Sequence, residues 1–228
     1  MRRLVMWDID RTLLYAGGVA QLAYEAAFTA VTGLTWKQMA VAAGRTDRDI
    51  AVETFALHGI ADCEPHLEDF FTLFAAEFAA RRHLLRDRGH VLPGVPEVLA
   101  ALDGRPHVVQ TLVTGNIPLV AEAKLAEFGL VGLVDLEIGG YGTDDTVRAT
   151  LVRRCLERAA AKHGPFDPSE AVVVGDTVHD VVGALANGVT AIGVATGGTP
   201  AAELAAAGAH AVLTDLRDVD AVVRLLAP

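Results

Sequence analysis

The most informative stretch of the sequence is Leu4-Val5-Met6-Trp7-Asp8-Ile9-Asp10-Arg11-Thr12-Leu13-Leu14, in which a short apolar run ends in two carboxylates. Residues 3–7 are typical of a strand that is buried in a parallel sheet. In open α/β sheets, ligands bind just beyond the carboxyl ends of such strands, which is where Asp8 and Asp10 lie. Two carboxylates at that place repel each other unless a cation joins them or one is protonated. Their oxygens suit Mg²⁺, although a strand followed by a polar turn would give the same pattern.

Short apolar runs of the same kind recur along the chain, and helical patterns separate them. The runs predict further strands at 107–113, 133–138, 171–174, 190–194 and, more weakly, 210–213. The helical patterns lie at 95–102, 117–128, 146–162, 179–186 and 200–207. Strand alternating with helix predicts an α/β fold with a doubly wound, Rossmann-like parallel sheet.

Residues 15–90 are the exception, since they contain no good strand pattern and are expected to be wholly helical. The clearest helix begins near Pro65 and ends at Gly89. Its apolar face, which is more typical of core packing than of a ligand site, consists of Phe70, Phe71, Phe74 and Phe78. We therefore expect a core domain of residues 1–14 and 91–228, with 15–90 inserted as an all-helical cap over the carboxyl edge of the sheet.

Two later segments also place polar groups where a strand ends. Thr114-Gly115-Asn116 offers a hydroxyl and free backbone N–H groups, which together can hold an anion. Gly175-Asp176-Thr177-Val178-His179-Asp180 offers one carboxylate that can complete a metal site with Asp8 and Asp10, and a second one turn later. Each segment has a plain alternative: the first is also an ordinary strand-to-helix turn, and in the second Asp176 or Thr177 could simply cap a helix.

Composition restricts the class of protein. The chain has 228 residues, of which 52% are hydrophobic, so it can bury a core of ordinary size. Its net charge of −10 argues against a nucleic-acid binder. The sequence has no apolar run long enough to predict a membrane span. Acidic residues interrupt the first apolar run too early for a secretory signal. Cys63 and Cys155 have no metal-like spacing and suggest no disulfide framework, which favours the cytoplasm.

Taken together, the three segments resemble the haloacid dehalogenase superfamily of hydrolases over essentially the whole chain. Asp8-Ile9-Asp10-Arg11-Thr12 looks like the first motif of that superfamily, Thr114 its second and Gly175–Asp180 its fourth. Leu92-Pro93-Gly94-Val95 is similar to the return from the cap in phosphoglycolate-phosphatase-like members. The position of 15–90 between the first two motifs matches the class with a helical cap.

The resemblance implies a Mg²⁺-dependent phosphatase that works through an aspartyl-phosphate. Asp8 would be the nucleophile, and Asp10 would be the general acid and base. Asp8, Asp176 and the main-chain carbonyl of Asp10 would hold the metal. The transferring oxygens would meet Thr114 and the residues after it, Gly115 and Asn116.

The third motif of the superfamily supplies a Lys or Arg that braces the nucleophile and the phosphate. Arg148 is our choice, because it begins the helix that precedes the fourth motif. Arg153, Arg154 and Lys162 are alternatives, although each is more typical of a solvated helix face. Asp180 would orient its neighbours in the site.

Two arginines are candidates for reading the rest of the substrate. Arg11 stands where the superfamily usually has Gly, and it could contact a substrate anion or merely cover the cap interface. Arg45 lies in Gly44-Arg45-Thr46-Asp47, a turn that opens a helix at Thr46 or Asp47 and that in related enzymes reaches into the site. Arg45 could meet a carboxylate or a second phosphate, or it could belong to a surface turn.

Other functions remain as alternatives at this stage. Superfamily members that cleave carbon–halogen bonds lack the second acid, so Asp10 argues against them. A phosphomutase keeps both acids, and phosphonate cleavage would need Lys37 as the cap lysine. A non-catalytic module on the same fold is the alternative from another class. The expected partner is a small phosphorylated metabolite, with the protein a monomer or a homodimer.

Overall fold

The computed structural model describes residues 2–227 and contains two sheets. The main sheet has five parallel strands in the order β4-β1-β5-β6-β7, and the second is an antiparallel pair of β2 and β3. The strands are β1 (Arg3–Trp7), β2 (Leu14–Tyr15), β3 (His90–Val91), β4 (Val108–Leu112), β5 (Ala171–Gly175), β6 (Thr190–Val194) and β7 (Ala211–Leu213).

The α-helices fall into a group between β2 and β3 and a group that alternates with the main strands. The first group is α1 (Val19–Thr32), α2 (Asp47–Leu57), α3 (Glu64–Arg81) and α4 (Leu84–Arg88). The second is α5 (Val95–Asp103), α6 (Pro118–Glu127), α7 (Arg148–His163), α8 (Val178–Leu185), α9 (Ala201–Ala206) and α10 (Val219–Leu226). The predicted α/β class with a doubly wound parallel sheet is confirmed.

The main sheet is buried on both faces, which explains why its strands are continuous apolar runs. Val5 and Trp7 of β1 pack into one hydrophobic cluster, together with residues of α5, α6 and α10. Leu4 and Met6 pack into the other, together with residues of α7, α8 and α9. Successive side chains of a strand point to opposite faces, so β1 contributes to both.

The segment between β2 and β3 forms its own helical layer around an aromatic core. The rings of Tyr24 and Phe70 meet edge to face with centroids 4.7 Å apart, and the Phe28 and Phe55 rings lie 5.1 Å apart. Phe74 and Phe78 are also buried, so the aromatic stripe is core, as predicted. Within residues 2–227 no helix is long and apolar enough to cross a membrane.

Two details of this segment correct the sequence analysis. It is not wholly helical: residues 33–46, between α1 and α2, form no helix, and the chain enters and leaves the segment through the β2–β3 ribbon, in which Leu14 pairs with Val91 and Tyr15 with His90. The helix from Pro65 to Gly89 is also two helices, which the chain separates at Arg82 and His83. The domain boundaries at 14/15 and 90/91 fall inside the ribbon and stay a prediction.

The strand predicted at 133–138 is wrong. Two short 3₁₀ turns, Val131–Leu133 and Leu136–Ile138, stand there instead. The carboxylate of Asp135 accepts a hydrogen bond from the Glu137 N–H, which closes a turn and competes with an extended conformation. The segment is linked to β4 by isolated hydrogen bonds rather than by a ladder; for example, the Asp135 N–H donates to the Gln110 carbonyl, and the Thr111 hydroxyl donates to the Asp135 carbonyl.

Candidate active site

Three strands of the main sheet end side by side at one cleft. Because β4, β1 and β5 are neighbours, the residues that follow them, Thr114, Asp8 and Asp176, meet at the same carboxyl edge. All three are buried. The cleft has a volume of about 760 Å³ and is bounded by core residues on one side and by α1, α2, α3 and the loop before α2 on the other.

Asp8 is paired with Arg148, the residue expected as the third-motif cation. One Nη of Arg148 donates to Asp8 Oδ1 at 2.7 Å and to the Val113 carbonyl at 3.0 Å, and the same nitrogen contacts Asp180. The Nε of Arg148 is buried and has no hydrogen-bond partner within the described chain. The other candidates lie elsewhere: Arg153 and Arg154 pair with Glu157, and Lys162 pairs with Asp135 and Glu137.

Asp180 has two tasks at this edge. Its carboxylate accepts from the backbone N–H and the hydroxyl of Thr177, which in turn caps α8, so the two form a reciprocal capping box. Its other oxygen contacts Arg148. Asp180 therefore ties the start of α8 to the guanidinium and orients Arg148 towards Asp8.

Asp8, Asp176 and Asp180 form a buried cluster, here called the carboxylate cluster, in which one oxygen of each carboxylate lies within 4.8 Å of the other two. Burial raises the pKa of Asp8 to about 7 although the Arg148 charge opposes the shift, and burial together with the Asp8 charge raises the pKa of Asp176 to about 8. Burial alone would lower the pKa of Arg148, but the Asp180 and Asp8 charges raise it above its usual value. One guanidinium facing three carboxylates leaves excess negative charge, and a divalent cation fits this donor set.

Asp10 does not belong to the carboxylate cluster. It forms a separate set of hydrogen bonds with Asn116 and Lys124, and we call these three residues the Asp10 network. Lys124 Nζ donates to Asp10 Oδ1 at 2.8 Å and Oδ2 at 2.6 Å, and also to Asn116 Oδ1 at 2.6 Å. The Asn116 amide donates to Asp10 Oδ2 and to the Thr114 hydroxyl, both at 2.8 Å. The Asp10 side chain is 45% exposed, and the residue lines the cleft.

Two further residues belong to this site: Lys124, which was not predicted, and Asp47, which was predicted only as a possible helix start. Lys124 lies on the buried face of α6 beside Val120 and Ala121, and a lysine on an apolar helix face was the available signal. Asp47 begins α2, and its carboxylate accepts from the Ile117 N–H at 2.8 Å. Burial raises the pKa of Asp47 to about 7, although the Ile117 bond and the Lys124 charge act against the shift.

The loop before α2 rests directly on the core. The Asp47 N–H donates to the Gly115 carbonyl at 2.7 Å, and the Arg48 N–H donates to the Gly142 carbonyl at 3.2 Å. A Cβ at residue 115 would lie 2.0 Å from the Arg45 carbonyl oxygen, so only glycine allows this approach. Thr46 caps α2, as predicted.

The two arginines proposed as substrate readers have different surroundings. The Arg45 guanidinium pairs with Asp49 and Glu53, two carboxylates of α2, which already neutralise its charge. Arg11 has no carboxylate within ion-pair distance among residues 2–227, and its guanidinium lies over the Tyr15 ring, 3.8 Å from the centroid. Its φ of +66° also explains why Gly is usual at this position, since that conformation is strained for other residues.

Known protein families and solved structures resemble this chain over most of its length. The family model described as haloacid dehalogenase-like hydrolase matches residues 5–184. A hydrolase from Pseudomonas syringae is 23% identical with a TM-score of 0.67, and the match covers 100% of both chains. A predicted phosphatase from Clostridium acetobutylicum is 17% identical with a TM-score of 0.68, covering 99% of this chain and 100% of that one.

A third solved structure, a predicted phosphoglycolate phosphatase from Haemophilus somnus, is 19% identical with a TM-score of 0.67, and the match covers 97% of this chain and 98% of that one. At such identities these likenesses show the fold alone. No curated protein gives a significant match.

Proposed function

The chain belongs to the haloacid dehalogenase-like hydrolase family, and within it we propose a Mg²⁺-dependent phosphatase that hydrolyses a small phosphomonoester. One observation carries the proposal: two acids from one strand end face the same cleft in different surroundings. Asp8 is buried beside a guanidinium, whereas Asp10 is half exposed and held by a lysine. A nucleophile and a separate proton donor are what phosphoryl transfer through an aspartyl-phosphate needs.

The carboxylate cluster supports the choice of metal. Asp8 and Asp176 offer buried oxygens, and the main-chain carbonyl of Asp10 is a further oxygen donor at the same strand end. When bound, Mg²⁺ would offset the repulsion between these carboxylates and the charge of the phosphoryl group. The Asp180 carboxylate already accepts from the Thr177 hydroxyl and from Arg148, so we assign it to positioning these residues rather than to binding the metal.

The residues then act in two steps. An Asp8 oxygen attacks phosphorus, the bond from phosphorus to the ester oxygen breaks, and Asp10 gives its proton to the leaving oxygen. Next, a water attacks the aspartyl-phosphate at phosphorus, Asp10 takes the proton of that water, and Asp8 is regenerated with release of inorganic phosphate. The Arg148 Nε, the Thr114 hydroxyl and the backbone at Gly115 and Asn116 are the donors that we assign to the phosphoryl oxygens.

The surroundings of the two arginines bear on the substrate. Both arginines line the cleft, but Arg11 has no carboxylate partner in the described chain, so we assign Arg11 to an anion at the non-reacting end of the substrate. Arg45, with two carboxylate partners, would instead hold the loop before α2. A small phosphorylated metabolite fits a cleft of this size. Cys63 and Cys155 are free thiols, which supports the cytoplasm as its location.

Release of inorganic phosphate from a panel of small phosphomonoesters, with and without Mg²⁺, tests this proposal. The expected result is metal-dependent release by the native protein and none by Asp8→Asn, whose amide is close in size but a poor nucleophile. Isomerisation of a sugar phosphate without phosphate release would indicate a mutase. Metal-independent release of halide from a 2-haloacid would indicate a dehalogenase, and no turnover of any kind would favour a binding module.

A further inference from the structure

Lys124 is a buried charged residue to which the proposed chemistry assigns no role. Its side chain is 2% exposed, and it lies on the face of α6 that packs into the protein. A buried ammonium is costly unless it is paired and hydrogen-bonded. All three hydrogen bonds that Lys124 Nζ makes go to Asp10 and Asn116, at 2.6 to 2.8 Å. The lysine is thus satisfied entirely by the Asp10 network.

The network fixes the Asp10 carboxyl from more than one direction. Lys124 Nζ contacts both carboxylate oxygens, and the Asn116 amide donates to one of them. The same amide donates to the Thr114 hydroxyl, so the network connects the acid to the turn that follows β4. Since Asp10 is half exposed, these bonds, rather than close packing, hold its carboxyl at the edge of the cleft.

We propose that Lys124 is a positioning residue for Asp10: it holds the general acid of the proposed reaction where the leaving oxygen is released. The inference rests on the proposed function. Proton transfer depends steeply on the distance and angle between donor and acceptor, and a small misplacement of a catalytic group costs much of its effect. Lys124 itself touches neither the nucleophile nor the carboxylate cluster in the contacts described.

The dependence of rate on the leaving group separates positioning from a merely structural role. A poor leaving group, such as an alkoxide, needs the proton from Asp10, whereas 4-nitrophenolate leaves without it. Lys124→Met removes the ammonium and keeps a side chain of similar length. We expect kcat/KM to fall on the order of 10²-fold for an alkyl phosphate and to change little for 4-nitrophenyl phosphate. Lys124→Gln keeps a donating amide without the charge, so its kcat/KM for the alkyl phosphate should lie between those of the native protein and Lys124→Met. This variant replaces Lys124→Met in the test if the methionine variant does not fold.

A matched control is Lys162→Met. Lys162 is also an ion-paired lysine, but its partners Asp135 and Glu137 lie outside the cleft. The kcat/KM of this variant should equal that of the native protein for every phosphate in the series. A double variant, Asp10→Asn with Lys124→Met, should lose no more on the alkyl phosphate than Asp10→Asn alone, because Lys124 acts through Asp10.

Each outcome of the series is decisive. A plot of log kcat/KM against leaving-group pKa that is steeper for Lys124→Met than for the native protein supports the proposal. Equal losses on every substrate, or no loss, would overturn it and leave Lys124 a structural residue. If the native protein hydrolyses none of the phosphates, the proposed function fails and the role of Lys124 fails with it; native activity with an unchanged slope overturns the positioning role alone.

Discussion

Asp8 and Asp10 are two residues apart in the chain, yet they lie in opposite electrostatic surroundings. Asp8 belongs to the carboxylate cluster, where burial and like charges raise carboxyl pKa values to about 7 and 8 and a single guanidinium compensates only part of the charge. Asp10 belongs to the Asp10 network, where a lysine and an amide donate to its carboxylate. The carboxylate cluster has one guanidinium for three carboxylates, whereas in the Asp10 network one lysine faces one carboxylate.

This difference explains how one strand end could supply the two chemical roles that we propose. The carboxylate cluster has more negative than positive charge, so it suits the metal ion and the nucleophile that we propose there. The Asp10 network is complete within the chain, so it fits a group that must be held in place to move a proton. The spacing of two acids in a sequence cannot distinguish these roles, because the partners come from α6 and α7, more than a hundred residues away.

The largest expected effect separates the two acids directly. Asp8→Asn should lower kcat by on the order of 10⁴-fold or more on every phosphomonoester, because no nucleophile remains. Asp10→Asn should lower it by about 10²–10⁴-fold on alkyl phosphates and less on aryl phosphates with good leaving groups. Steady-state kinetics on both substrate types, with circular dichroism as a check of folding, measures this. Equal losses for the two variants on both substrate types would contradict the division of roles.

The next effect concerns the counter-ion of the cluster. Arg148→Met leaves Asp8 and Asp180 buried without their cation, so the free energy of unfolding of the metal-free protein should fall by about 3–5 kcal/mol. Urea denaturation at neutral pH measures it. The matched control is Arg153→Met, which breaks an exposed ion pair and should change stability by no more than about 1 kcal/mol. Similar small losses in both variants would mean that the cluster does not depend on Arg148.

A smaller effect is the pH dependence of the stabilisation by Mg²⁺. The pKa values of Asp8 and Asp176 are raised in the folded protein, so protonation of these groups contributes stability at low pH that is lost as the pH rises through about 7 to 8. Mg²⁺ needs both groups ionised and competes with those protons. The rise in Tm on adding Mg²⁺ should therefore be larger at pH 8.5 than at pH 6, the free energy changing by up to about 1.4 kcal/mol per pH unit for each proton displaced.

Asp176→Asn is the control for this titration. It removes a carboxylate of the cluster and leaves the Asp10 network intact, so most of the Mg²⁺-induced rise in Tm should disappear. Differential scanning calorimetry across the pH range measures both proteins. A rise in Tm that is the same at both pH values, or that Asp176→Asn retains in full, would show that the ion binds elsewhere.

The smallest expected effect compares the two arginines near the cleft. Arg11→Gly should lower kcat/KM for a substrate with a second anion, and the loss should correspond to about 1–3 kcal/mol of transition-state stabilisation. This is the scale of a charged hydrogen bond that is no longer made. It should leave a simple aryl phosphate unaffected, and glycine suits the φ of +66°. Arg45→Ala should not change this selectivity, because the Arg45 charge is already paired. The reverse pattern would return the role of substrate reader to Arg45.

Much of the fold was predictable because its signals are local. The apolar runs of β1, β5 and β6 and the acids that follow them are contiguous in the sequence, and parallel strands bring their ends together. Arg148 was identifiable from its place at the start of α7. α10, with Asp218 as its cap and a strongly amphipathic pattern, could also have been predicted from local signals but was overlooked.

The rest depends on contacts between distant segments. The β2–β3 ribbon joins pairs of residues about seventy-five positions apart, and two residues carry too little pattern to predict a strand. The run at 133–138 has the composition of a strand, but the Asp135 carboxylate closes a turn by accepting from the Glu137 N–H. The roles of Lys124 and Asp47 depend on such contacts as well. Lys124 of α6 donates to Asp10, and the Asp47 carboxylate accepts from the Ile117 N–H, and neither contact can be predicted from the local sequence.

The most direct test of the central claim is to find which of the two acids carries the phosphoryl group. The enzyme is mixed with a phosphomonoester and Mg²⁺, quenched in acid within one turnover, and digested. The peptide that contains β1 and the two acids after it should be heavier by one phosphoryl group, and the modification should lie on Asp8. Asp10→Asn should still accumulate this species, and Asp8→Asn should not. A label on Asp10, or phosphate release with no labelled aspartate at any time point, would contradict the account.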